Sequence, residues 1–191
     1  QDIISMVQPA AEKKSQDLQI YMQPDLHSCV TADQQHLRQV LLNILENACK
    51  YTQQNGTIRF TVEETGQPKK HVGTYRITVE DNGIGMKPEY LAHIFEPFSR
   101  ADDSRISKTS GTGLGMTIVK SLVKQMGGDI KVESEYGKGS RFTVVLEMVQ
   151  ERTVESHAVQ EEKTQDAGED FSYLKVLLVE DNEINQQIAC E

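Results

Sequence analysis

Tryptophan is absent from the 191 residues and cysteine is scarce. Cys29, Cys49 and Cys190 stand far apart with no CxxC pair, which argues against a disulfide framework or a thiolate zinc site and for a reducing, cytoplasmic setting. No apolar run nears the roughly 20 residues of a bilayer span, so no membrane contact is expected of this stretch. A basic excess is missing too. The 20 Lys and Arg face 29 Asp and Glu, a net charge of −9, and no basic stripe suits nucleic acid, which is set aside as a partner. The acidity is uneven: residues 1–149 carry −1, residues 150–172 carry −5 and residues 173–191 carry −3. The chain opens on Gln1 rather than methionine and is expected to be a piece of a longer protein.

What is present is periodic. Asp33 is a suitable N-cap for a helix running to about Tyr51, with Leu37, Val40, Leu41, Ile44, Leu45 and Ala48 at helical spacing. Thr57–Glu63 and Thr74–Glu80 alternate as strands, and the stretch between them, with Gly66, Pro68 and two lysines, reads as an exposed loop. Pro88 suits the first turn of a short helix ending before Pro97. A second long helix follows Gly115, with Ile118, Leu122, Val123 and Met126 inward and Gly127 as its stop. Asp129–Glu135 and Ser140–Glu147 form a hairpin around Tyr136–Gly139. Residues 150–172 have no periodicity and read as an acidic linker. The last segment, residues 173–191, holds a short apolar strand, Lys175–Val179, and the start of a helix.

Four groups of residues suggest chemistry. On the first helix Asn43, Glu46, Asn47 and Lys50 share about 100° of arc beside the apolar stripe. Such a face is usually solvated, but two mid-helix asparagines are poor helix formers that want a partner. An amide oxygen suits Mg²⁺, and a lysine near it suits phosphate. Asp81 opens the run DNGIGM after a strand. A plain turn is one reading; the other has the carboxylate accept from the exocyclic amine of adenine, with Gly83 and Gly85 letting the base lie against backbone. Gly111, Gly113 and Gly115 (GTGLGM) open into a helix whose N-terminus and amides suit phosphate. The spacing is neither GxGxxG nor a Walker loop, and no HRD or DFG occurs. Phe95 and Phe98 flank a proline beside a polar stretch to Ser110, which suggests a lid whose phenylalanines meet another surface and which orders when nucleotide binds.

The four elements in this order resemble the catalytic ATP-binding domain of bacterial sensor histidine kinases, within the superfamily of DNA gyrase, heat-shock chaperones and mismatch-repair ATPases. Asn43–Tyr51 looks like the asparagine box, Asp81–Met86 and Gly111–Met116 like the two glycine boxes, and Phe95–Phe98 like the phenylalanine box. The resemblance implies an α/β two-layer sandwich over residues 1–149: a mixed, mostly antiparallel sheet with about three helices on one face. It implies ATP and Mg²⁺, with Asn47 on the metal, Asn43 and Lys50 at the phosphates, and Tyr51 near base or ribose. Asp81 would take the adenine amine, with Gly83, Ile84 and Gly85 beside the base. Arg100 would reach the γ-phosphate, and Gly111, Thr112, Gly113, Leu114 and Gly115 would cradle the phosphates. Thr143 would support Asp81 from the last strand.

ATPases of this superfamily typically carry a water-activating glutamate where this chain has Asn43. An amide cannot take that proton, so phosphoryl transfer to a protein is favoured over hydrolysis. Glu46, one turn away, keeps a hydrolase open, and a non-catalytic nucleotide-binding module is the third reading. None of the five histidines lies in an S-H-E-x-x-x-P context. The acceptor is therefore expected on a separate dimerisation domain contacted through Phe95 and Phe98, the parent being a homodimer and this stretch a monomer. Residues 173–191 resemble the start of a receiver domain, with Glu180 and Asp181 in its acidic pocket, as in a hybrid kinase.

Overall fold

The computed structural model describes residues 2–26, 29–99 and 113–150. The elements run α1 (Asp2–Glu12), β1 (Asp17–Met22), β2 (Val30–Thr31), α2 (Gln34–Tyr51), β3 (Thr57–Lys69), β4 (Val72–Asp81), α3 (Pro88–Leu91), α4 (Gly115–Gln125), β5 (Asp129–Glu135) and β6 (Gly139–Gln150). The linker, the receiver-like segment, Arg100, Gly111, Thr112 and most of the lid stretch lie outside the described residues.

Helix α2 starts where its cap dictates: the Asp33 carboxylate accepts from the His36 amide at 2.9 Å, satisfying one of the amides that a helix start leaves without a partner. Val40, Leu41, Ile44, Leu45, Ala48 and Cys49 are its buried face. They meet the alternating inward residues of the sheet: Ile58 and Phe60 from β3, Tyr75, Ile77 and Val79 from β4, and Phe142, Val144 and Leu146 from β6. Each fully buried Leu, Ile, Val or Phe contributes about 1.5–3 kcal/mol. Val7 and Ala11 of α1, and Met116, Val119 and Val123 of α4, complete the same core.

The sheet runs β1-β3-β4-β6, with β2 and β5 both on the far edge of β6. Only β1 and β3 are parallel; the other pairings are antiparallel. The sheet is therefore mixed and mostly antiparallel, as expected. Its opposite face is polar, with Glu80 bridging Arg59 at 3.9 Å and Arg141 at 3.1 Å.

Three expectations change. The expected loop around Gly66 and Pro68 is mostly strand, because β3 and β4 continue to Lys69 and Val72 through register shifts around Gly66. Such bulges absorb a glycine and a proline that a regular ladder would reject. On α4, Val123 is buried and Leu122 and Met126 pack against the core as expected, but Ile118 is 41% exposed and Met116 and Val119 turn inward instead. Finally, α1 and β1 were not anticipated as elements. Gly127 does stop α4, at φ 73°, with Gly128 donating back to the Val123 carbonyl at 2.9 Å.

Candidate functional site

The polar flank of α2 faces the start of α4. The Asn43 side-chain nitrogen is buried and, among the described residues, has no hydrogen-bond partner. Its oxygen lies where a methyl group on Gly115 would come within 3.6 Å. Among the described residues no side chain caps α4, and no acidic residue occupies its first turn. A buried amide donor without a partner among the described residues, next to a helix N-terminus with no acidic residue in its first turn, forms a setting for an anion. Gly113 turns there at φ 73°. On the same helix Asn47 and Lys50 are half-buried and Glu46 is exposed; the Lys50 ammonium lies 5.0 Å from the centre of the Tyr51 ring.

Asp81 ends β4 on the buried face of the sheet, 8% exposed. Burial pushes its carboxyl up to about 6, against the backbone amides of Gly83 and Ser140, which hold it down. The Gly83 amide reaches it at 2.9 Å. A buried acceptor poised near neutrality marks a functional candidate.

The glycines after Asp81 serve the protein's own backbone. The Ile84 amide donates to the Tyr51 carbonyl at 3.3 Å, and Gly137 donates to the Ile84 carbonyl at 2.7 Å. The Met86 amide donates to the Ser134 hydroxyl at 2.9 Å. A methyl group at Gly83 would meet the Tyr51 carbonyl oxygen at 2.6 Å, and one at Gly85 would overlap the Glu135 carbonyl. The run is wedged between the end of α2 and the β5–β6 hairpin. Its amides at 83, 84 and 86 all donate inside the protein.

Thr143 does not join Asp81. It pairs with Thr78, whereas Asp81 pairs with Ser140. Paired residues share a face of the sheet and successive residues alternate, so Thr143 points to the opposite side. Ser140 takes the place expected of Thr143, with its hydroxyl 3.0 Å from that of Ser134. The signal was available: Ser140 follows the hairpin glycine directly, and hairpin turns set register.

The two phenylalanines separate. Phe95 is half-buried against the core, with the Lys120 ammonium 5.1 Å from its ring centre. Phe98 is 71% exposed at φ 61°, a left-handed conformation unusual for a bulky residue. Its amide donates to the Gly113 carbonyl at 3.1 Å, which ties residues 98 and 113 together.

Known proteins are similar to this chain. Residues 32–150 match the family described as histidine kinase-, DNA gyrase B- and HSP90-like ATPases. The chain is 40% identical over 143 residues to hybrid signal transduction histidine kinase B of Dictyostelium discoideum, covering 75% of this chain and 7% of that protein. It is 36% identical over 191 residues to sensor histidine kinase AruS of Pseudomonas aeruginosa, covering 99% of this chain and 18% of that one. It thus spans a minor part of the relatives it matches. Among solved structures, full-length ShkA in complex with AMPPNP superposes with a TM-score of 0.66 at 31% identity, over 78% of this chain and 29% of that one. The nucleotide-free catalytic domain of histidine kinase ThkA gives 0.62 at 26% identity, over 76% and 89%. With the family match spanning α2 through β6, and the same mixed sheet found in these kinase domains, the chain belongs to the histidine kinase-, DNA gyrase B- and HSP90-like ATPase family.

Proposed function

We propose that this chain binds ATP with Mg²⁺ and presents the γ-phosphoryl group to a histidine on a separate dimerisation domain of a two-component sensor kinase. The observation that carries the reading is the buried Asn43 amide nitrogen, without a partner among the described residues, beside the first turn of α4, which holds no acidic residue; an anionic ligand completes this polar setting. ATP supplies the transferable group, and Mg²⁺ neutralises charge on its oxygens. Asn47 is the metal ligand, while Asn43, Lys50 and the segment Gly111-Thr112-Gly113-Leu114-Gly115 hold the phosphates. Asp81 accepts from the adenine amine, with Gly83, Ile84 and Gly85 shaping the wall and Tyr51 beside the base or ribose. Arg100 neutralises the γ-phosphate. An amide at position 43 cannot activate water, which favours transfer over hydrolysis.

The partners follow from the same reading. Exposed Phe98 and half-buried Phe95 contact the acceptor domain, a receiver domain begins at residue 173, and the parent works as a homodimer on cytoplasmic ATP. The AruS alignment covers 99% of the chain, so the similarity runs on past residue 150. Mixing the chain with a histidine-bearing dimerisation domain and γ-labelled ATP should yield phosphohistidine on that domain; none appearing while ATP still binds would overturn the transfer step. In that assay Phe98→Ala should leave the nucleotide Kd within about twofold and lower transfer about 30-fold, the worth of an interface anchor. Equal losses of binding and transfer would remove Phe98 from the docking surface.

Asp81 also makes binding pH-dependent. Below about pH 6 its carboxyl is protonated, and one of its oxygens becomes a donor facing another donor. The Kd for Mg·ATP should therefore rise between pH 7.5 and 5.5. Titration calorimetry at the two values checks this, and Asp81→Asn should flatten the dependence.

A further inference from the structure

The end of α2 is held from one side by two side chains. Lys14, between α1 and β1, donates to the carbonyls of Cys49 and Lys50 at 2.7 Å and of Thr52 at 3.0 Å. The amide of Gln16, 8% exposed, donates to Cys49 at 3.0 Å and Thr52 at 2.8 Å. Backbone bonds stitch the same loops together: Asn55 donates to the Lys14 carbonyl at 3.0 Å, and Asp17 to that of Gly56 at 2.8 Å. A helix end leaves its last carbonyls without intrahelical partners, and an ammonium placed there also meets the negative pole of the helix. Lys14 and Gln16 satisfy the carbonyls at 49, 50 and 52. The one they leave, at Tyr51, is the acceptor for the Ile84 amide in the turn after Asp81.

We propose that Lys14 is a positioning residue for nucleotide binding: with Gln16 it fixes the last turn of α2, so that the Tyr51 carbonyl holds the Asp81–Gly85 turn in place. This deepens the reading above and rests on it for the nucleotide itself. Lys14 touches neither Asp81 nor Ile84; it acts through the backbone of α2, which also carries Lys50 and Tyr51. The arrangement makes the α1–β1 junction part of the site although it lies outside every glycine or asparagine run.

The variants are Lys14→Met, which keeps the apolar stem and removes the donors, Lys14→Arg, which restores donors, and Lys13→Met on the exposed neighbour as control. Amide hydrogen exchange at Ile84, with Val144 in the core as reference, reports the held turn in the nucleotide-free chain; calorimetry well below the melting temperature reports Mg·ATP affinity. Lys14→Met should speed exchange at Ile84 about tenfold, leave Val144 unchanged and weaken Mg·ATP about tenfold, since of the three lost carbonyl bonds only the share that steadies the Tyr51–Ile84 contact is felt there, about the worth of one hydrogen bond to a charged group. Lys14→Arg should recover most of both, and Lys13→Met should do neither. A lowered melting temperature with Ile84 exchange and affinity unchanged would overturn the proposal, leaving Lys14 a purely structural cap. If wild-type chain fails to bind Mg·ATP, the nucleotide reading falls while the exchange measurement still decides the positioning role. Should Lys14→Met not fold, Gln16→Met is read by the same criteria, with a smaller shift in the same direction.

Discussion

Asp81→Asn should weaken Mg·ATP about 100-fold and, at pH 8, make the nucleotide-free protein more stable than wild type. The affinity loss follows from replacing a carboxylate by an amide whose nitrogen donates rather than accepts; a hydrogen bond to a charged group contributes about 1.5–3 kcal/mol. The stability gain follows from burial. The folded carboxyl titrates at about 6 instead of 3.8, so the folded state binds more protons than the unfolded chain between those values. Wild-type stability from this group is fully present below pH 4 and declines as pH rises through 6, by about 3 kcal/mol in all. Asparagine carries no charge to bury and retains an oxygen for the Gly83 and Ser140 amides. Calorimetric titration and thermal melts at pH 5 and pH 8 separate the two effects. Tight ATP binding by Asp81→Asn would remove Asp81 from the base-binding role.

Gly139→Ala should be the most destabilising single-methyl change in the β5–β6 turn, costing about 3 kcal/mol or more. Two independent constraints act there. Gly139 sits at φ 123°, a region close to glycine-only, and a methyl group would overlap the Asp81 carbonyl, which is backbone and cannot swing aside. Relief requires opening the strand pairing that brings Ser140 beside Asp81, so nucleotide affinity should fall with stability. Gly137→Ala is the internal comparison: its φ is 88° but nothing lies within 4 Å of the added carbon, and only about 1–2 kcal/mol of backbone strain remains. Urea melts of both variants test the ranking; equal losses would mean that the overlap at Asp81 relaxes freely.

The helical part of this fold was legible because its signals are local. Asp33 and the stripe from Leu37 to Ala48 mark α2 without reference to anything distant. What was not legible depends on partners far along the chain. Whether Thr143 or Ser140 faces Asp81 is set by the register of β6 on β4, and a shift by an odd number of residues moves a side chain to the other face. Gly83 and Gly85 stand out in sequence, but that the Tyr51 and Glu135 carbonyls also press against them is visible only in the fold. Lys14 is one of two adjacent lysines, and nothing nearby distinguishes the one that reaches α2 from its exposed neighbour. The stripe Ile3, Ile4, Val7 and Ala11 in α1 was readable by the same periodicity as α2.

The order of strand pairing also governs how this domain is made. The β3–β4 and β5–β6 hairpins close between neighbours in sequence, whereas β2 waits for the far end of β6, where Val30 meets Gln150. Non-local pairings come late in folding because loop closure precedes any reward from contacts. On a ribosome, Asp81 emerges long before Ser140, its partner across the ladder. A nascent chain therefore holds α2 and Asp81 with the β4 edge open until β6 is released. Arrest of translation just short of Gly139 would leave that edge free to pair with another chain, and the step most exposed to aggregation during synthesis is the wait for the final strand.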